Sequence, residues 1–177
     1  MDAYFQDSWH STNADLLRQW LTPVLTEGHR HIYLIGDGSF SEASLTAGTL
    51  SWQPVFTTEP MSQYQEMGLF IAQIEPNDLG ILKLINQLER FTGLPMFSLI
   101  VSDQSDTEIT QMLTWLSDAR TSDNLELYIR IGDSRCLPHI LKSLNPVQKD
   151  YISYLVEQWY WPGRDGLWNQ GFSMSKV

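Results

Sequence analysis

Short apolar runs of strand length alternate with amphipathic stretches of helical length along most of this chain, and that order limits its fold more than any other feature. Residues 13–27 place Leu16, Leu17, Trp20, Leu21, Val24 and Leu25 on one helical face, with Pro23 to kink or end the helix and Gly28 to stop it. Residues 31–35 read as a mostly apolar strand that runs into the turn Gly36-Asp37-Gly38; Ser39 and Glu42 form a capping box for a short helix ending near Thr49. Residues 52–56 and 68–75 are strand candidates. Asn77 or Asp78 can cap a helix that buries Ile81, Leu84, Ile85, Leu88 and Phe91, and Gly93 closes it. A strand at 96–101 precedes a second capping box, Ser105 with Glu108, whose helix turns Ile109, Met112, Leu113 and Leu116 inward. A strand at 125–131 follows, then a helix near 137–144, and another that Asn145 caps with Pro146 in its first position. Strands alternating with helices predict an α/β fold: a mostly parallel sheet of about five strands with helices on both faces, plus a helical and aromatic C-terminal segment. The expected organisation is one domain over residues 1–158 and an aromatic-rich tail over residues 159–177.

The 177 residues suit one domain. No run approaches the ~18 apolar residues of a membrane span. The first seven residues are acidic and lack an apolar core, so no signal peptide is read. The single cysteine, Cys136, leaves no intrachain disulfide framework and fits a reducing cytoplasm. The formal charge of −10 is uneven: residues 1–124 hold 5 Lys+Arg against 16 Asp+Glu, and residues 125–177 hold 6 against 5. An acidic front repels phosphate backbones, which argues against nucleic acid as a partner.

In open α/β sheets, sites form at the carboxyl ends of strands, where Asp37 and Asp133 are both expected. Gly132-Asp133-Ser134 resembles the first block of the GDSL hydrolases, whose serine attacks an ester. Such a nucleophile needs a histidine and an acid to orient it. The only later histidine is His139, five residues on, and no Asp-x-x-His lies downstream. A cap for the following helix is the favoured role of Ser134, with a small esterase as the alternative. Gly36-Asp37-Gly38-Ser39 is neither Gly-x-Gly-x-x-Gly nor a Walker A loop, and reads as a tight turn. His29 and His31 share one side of a strand, but neither His10, His139 nor a carboxylate has the spacing of a third zinc ligand. No metal and no cofactor are expected. Trp20 and Trp115, on amphipathic helices, read as core. Trp159, Tyr160, Trp161 and Trp168 crowd the end of the chain, either as a lid folded back on the core or as a partner-binding patch, where Trp, Tyr and Arg supply most hot spots.

From about Trp20 to Trp161 the chain resembles the adaptor, or chaperone, domain of bacterial type VI secretion, long catalogued as a domain of unknown function. That family opens with a strand of the type Tyr-x-Leu-[Leu/Ile]-Asp-Gly-[Ala/Ser], matched by Tyr33-Leu-Ile-Gly-Asp37-Gly-Ser39 with one extra glycine. Trp52-Gln-Pro-Val-Phe56 stands where a segment with proline and aromatic residues follows, and Gly68-Leu-Phe-Ile-Ala72 replaces a Pro-Tyr-Leu-Val strand without its proline. The most specific block, Arg-x-aromatic-Asp-Pro-Arg-Val-Leu, is Arg130-Ile-Gly-Asp133-Ser-Arg135-Cys-Leu137, with Gly132 for the aromatic and Ser134 for the proline. A later glutamine, Gln148, and the aromatic end also fit.

The resemblance implies a cytoplasmic, non-catalytic adaptor. Its partners would be the N-terminal region of one cognate toxic effector and a VgrG-type spike protein. Partner contact is expected at Trp159, Trp161 and Trp168, supported by Arg130 and Arg135. Asp37, Gly38, Asp133 and Leu137 form the structural motif. Arg130 and Arg135 flank Asp133 and can form a charge-assisted pair that holds the turn or meets a partner carboxylate. An immunity-type toxin-binding protein is a further alternative.

Overall fold

The computed structural model describes residues 14–38, 50–59, 61–65, 68–75, 96–120, 122–162 and 168–173. Its main sheet has six strands: β1 (His31–Asp37), β2 (Gln53–Pro54), β3 (Leu69–Ile74), β4 (Phe97–Ser102), β7 (Gln158–Pro162) and β8 (Trp168–Ser173), in the order β2-β3-β1-β4-β7-β8. β5 (Asp118–Arg120) and β6 (Glu126–Tyr128) make a separate hairpin, with Asn124 before β6 in the left-handed conformation that asparagine tolerates. The helices described are α1 (Ala14–Glu27), α2 (Asp106–Ser117), α3 (Leu137–Ser143) and α4 (Pro146–Leu155). None of them is long and apolar enough to cross a membrane. The helices expected at 39–49 and 77–93 lie outside the described residues.

The parallel sheet is corrected: every paired neighbour is antiparallel. β1 pairs with β3 on one side and β4 on the other. β3 and β4 therefore run the same way, as strands joined by a crossover do, but β1 lies between them and turns both ladders antiparallel. A near-continuous apolar run such as His31–Asp37 reports burial on both faces, whichever way the neighbours run.

Both faces of the sheet are covered. Ile32, Leu34, Ala72, Leu99 and Tyr160 pack with Leu21 and Val24 of α1. Tyr33, Ile35, Ile71, Ile100 and Trp159 point the other way, onto Ile109, Met112 and Leu113 of α2, Leu137 and Leu141 of α3 and Ile152 of α4. The period of two along each strand divides the apolar residues between these two cores.

The helix signals read from sequence act as expected at several ends. α1 passes through Pro23 and stops before Gly28, whose φ of +74° favours glycine. Ser105 and Glu108 satisfy each other's backbone N–H groups at the start of α2, which holds the Glu108 carboxyl below its ordinary range. Asn145 and Gln148 do the same for α4, with Pro146 in the first turn. α4 is tied to the sheet by Ser102 Oγ, which donates to Leu155 O at 2.5 Å, and by Glu157 N–H, which donates to Val101 O.

Two expectations about placement are corrected. The segment 125–131 does not join the main sheet. Among the described residues its strand part pairs only with β5, and Leu125 and Leu127 face solvent, while Tyr128, Ile129 and Ile131 pack inward. The boundary expected after residue 158 falls inside β7, and the described residues of the expected tail, 159–162 and 168–173, lie in strands. Trp159-Tyr160-Trp161 is a strand paired with β4 and β8, and its alternation sends the two tryptophans to one core and the tyrosine to the other.

Candidate functional site

The two sequence blocks singled out around Asp37 and Asp133 meet at the end of β1. Asp37 is fully buried there, and Arg130 closes on it with two parallel hydrogen bonds, Nε to Oδ2 at 3.1 Å and Nη2 to Oδ1 at 2.7 Å. This fork is the strong, geometrically specific form of an arginine–carboxylate pair. Its two members are 93 residues apart in the chain. The Asp37 carboxylate is the first cause of a raised Arg130 pKa, so the guanidinium is held firmly charged.

Arg135 makes a second fork, on Asp133: Nε to Oδ1 at 2.8 Å and Nη2 to Oδ2 at 2.5 Å, while the Arg135 backbone N–H also reaches Oδ1 at 3.0 Å. Burial pushes the Asp133 carboxyl up, but these hydrogen bonds and the charges of Arg135 and Arg130 outweigh it and hold it below the ordinary carboxylate range. The Asp133 carbonyl receives the N–H groups of Cys136 and Leu137, which starts α3, and Leu137 is fully buried in the core shared with α2 and α4. Met96 joins the two forks: its carbonyl accepts the Asp37 N–H, and its sulfur lies 3.9 Å from Arg135 Nη2. Gly38 N–H donates to Gly68 O, which fastens the turn after β1 to the start of β3.

Gly132 explains why the chain has no aromatic residue at that point of the motif. A Cβ there would stand 2.6 Å from Leu69 Cδ1 and 3.0 Å from Asp37 N, so the turn lies directly on the backbone of β1. Close approach by glycine replaces packing by a ring.

In the sequence Arg130 and Arg135 flank Asp133. The structure pairs Arg135 with Asp133 but gives Arg130 to Asp37, a partner that spacing alone did not suggest. Both carboxylates follow a glycine, Asp37 at the end of β1 and Asp133 in the turn between β6 and α3, and that shared glycine–aspartate context is the available signal. Tyr128 was missed as well. It lies two residues before Arg130, stacks on Tyr64 with centroids 5.6 Å apart and meets Phe56 edge-on. Its hydroxyl is buried without a hydrogen-bond partner among the described residues, and burial, then the charge of Asp37, raises its pKa against the opposing pull of Arg130.

The remaining candidates are dispersed. Trp159, Trp161 and Trp168 are 0%, 1% and 1% exposed, so they offer no contact surface; Trp159 Nε1–H donates to the buried Ser98 Oγ at 2.9 Å. Ser134 is buried within the turn, two residues before Cys136, which holds the N-cap position of α3 and whose own side chain makes no cap bond. His29 lies against Glu27, and His31 Nδ1 is 3.3 Å from Gln73 Nε2. Among the described residues no group of three or more His, Cys, Asp or Glu is placed to hold a metal.

The sequence pattern of a domain family of unknown function, DUF4123, matches residues 32–151, more than half of the chain. The chain belongs to the DUF4123 family. No curated protein and no solved structure matches it. The matched DUF4123 region starts one residue into β1 and ends within α4, so it contains both arginine forks, the β5–β6 hairpin and the Asn145–Gln148 cap. β7 and β8 lie beyond it, although they complete the sheet.

Proposed function

We propose that this DUF4123 protein is a non-catalytic cytoplasmic adaptor that binds one toxic effector of type VI secretion and loads it onto a VgrG-type spike. The observation that carries this reading is the double fork. The residues that match the adaptor motif, Asp37, Arg130, Asp133 and Arg135, are not spread over the surface but form two arginine–carboxylate pairs, linked through Met96, within the DUF4123 region. Their bonds are made to one another, which is the chemistry of a scaffold that fixes a turn. Arg130 keeps 42% of its side chain exposed and Arg135 32%, so each guanidinium can hold its carboxylate while its outer edge lies at a protein contact. The esterase alternative gains no support from Ser134, which is only 4% exposed.

The test is affinity capture of the tagged full-length protein from its native cells, with mass spectrometry of what is retained. Co-recovery of a VgrG-type spike and one large toxin is the expected result. Recovery of a toxin whose activity the protein inhibits, without a spike, would move the assignment to an immunity protein. Hydrolysis of p-nitrophenyl esters that Ser134→Ala abolishes would overturn the adaptor reading.

A further inference from the structure

α2 and α4 lie on the same side of the sheet, and each buries one stripe: Ile109, Met112, Leu113 and Leu116 on α2, Ile152 and Leu155 on α4. Their outer stripes are also apolar. Val147, Tyr151 and Tyr154 follow one another at spacings of four and three along α4, and are 77%, 41% and 71% exposed. Trp115 of α2 is 44% exposed and meets Tyr151 edge to face, with centroids 5.3 Å apart. A contiguous exposed aromatic surface of this kind marks an interaction site far more often than scattered single residues do.

The charge around it has one dominant sign. A groove of about 550 Å³ opens beside Trp115, between β2 and α2, and its lining includes two charged residues, Asp106 and Asp118, at the two ends of α2. α2 carries Asp106 and Glu108 and no basic residue, and α4 adds Asp150 against Lys149. The rest of the groove wall is mostly threonine and glutamine, which can hydrogen-bond a backbone or a cationic head but bring no compensating charge.

We infer that this face, Trp115, Val147, Tyr151 and Tyr154 with the acidic groove beside them, docks an amphipathic polypeptide segment that carries Lys or Arg among aliphatic side chains. The aliphatic groups cover the rings, and the cations either lie over the ring faces or reach Asp106 and Asp118. The inference rests on the adaptor reading in one respect: it assigns that segment to the toxic effector. A second copy of this chain is the wrong partner electrostatically, because a net charge of −10 would bring like-charged surfaces together.

The test uses the full-length protein and fluorescence anisotropy with two labelled 18-residue helical peptides, one of leucine and lysine, the other of leucine and glutamate. The Leu/Lys peptide is expected to bind at least about tenfold tighter, more weakly as salt is added. Trp115→Ala combined with Tyr154→Ala should weaken it by about tenfold or more, whereas attraction to diffuse negative charge alone would survive that change. Val147→Lys, at an exposed position, gives an independent variant that should also weaken binding. Equal binding of the two peptides, or wild-type affinity in both variants, overturns the inference. So does a wild-type dimer in analytical ultracentrifugation that the double variant turns into monomer, since the face would then belong to a second copy.

The same double variant in the capture experiment separates this inference from the adaptor reading. Loss of a toxin that wild type retains supports both. Equal retention of the toxin overturns the docking face and leaves the adaptor. Failure of wild type to retain any toxin overturns the adaptor, and the peptide result then decides the face alone.

Discussion

Trp159, Trp161 and Trp168 on β7 and β8 are buried, whereas Trp115 on α2 and Tyr151 and Tyr154 on α4 stand in solvent. The first set completes a sheet. β7 pairs with β4, and a strand in that position with covered faces must bring bulk to each of them, which Trp159 and Trp161 do on one side and Tyr160, joined by Trp168 of β8, on the other. The second set lies on helices that already bury a full stripe elsewhere, so its rings add nothing to the core. Density of aromatic residues in the sequence therefore does not mark a contact surface. What marks it is an aromatic residue on the side of an element opposite its buried stripe.

The strongest way to break this contrast is to truncate both sets. Trp161→Ala removes a side chain that is almost fully buried and lies over Gly171; it should cost about 3–5 kcal/mol, read as a fall in the urea midpoint. A cost below about 1 kcal/mol would show that β7–β8 is not part of the cooperative unit. The arginine fork comes next. Arg130→Ala leaves the Asp37 carboxylate buried and without this partner, which in a fully enclosed pair costs about 3–5 kcal/mol; the partial exposure of Arg130 lowers the expectation to about 2–3 kcal/mol. Adding Asp37→Asn should restore part of that loss, because the charge that needed compensation is gone. Gly171→Ala is smaller, about 1–2 kcal/mol, since its Cβ would come 2.8 Å from the Trp161 ring and the ring must shift.

How much of this was readable beforehand depends on which interaction each residue serves. Local signals carried through: the Ser105–Glu108 and Asn145–Gln148 caps and the inward stripe of α2 each depend on residues within one or two turns of helix. The sheet did not carry through, because strand direction depends on which strand inserts between two others, and β1 between β3 and β4 leaves no trace in their own residues. The hairpin β7–β8 was closer to legible than it was read. Trp159-Tyr160-Trp161 is rich in β-forming residues, and the Pro162-Gly163 and Asp165-Gly166 pairs after it are turn signals, yet a dense cluster near the chain end suggested a tail. The site was half legible for a similar reason. Arg135 and Asp133 are two residues apart and their pairing is local, while Arg130 and Asp37 meet only because the fold brings the turn onto the end of β1.

The acid limb of stability sharpens the same distinction between buried and exposed groups. Asp133 has a lowered folded-state pKa, so it adds stability that is fully present above its ordinary value of 3.8 and is lost as the pH falls below that toward the folded value. Urea midpoints measured from pH 6 down to pH 2 should therefore fall less steeply in Asp133→Asn than in wild type, with the divergence confined to the region below about pH 4. An identical acid limb in both proteins would mean that the Arg135 fork does not persist in solution.

The smallest expected effect is the most informative about the two aromatic sets. Trp115→Ala should shift stability by no more than about 0.5 kcal/mol, the range of surface substitutions, with the contact to Tyr151 as the main loss. Its near-neutrality would show that a tryptophan is kept in water at no benefit to folding. Set against a large cost for Trp161→Ala in the same urea titration, that result would separate a residue retained for the core from one retained for the surface. A cost for Trp115→Ala of about 2 kcal/mol or more would instead place its ring within the packed interior and remove the aromatic face from consideration.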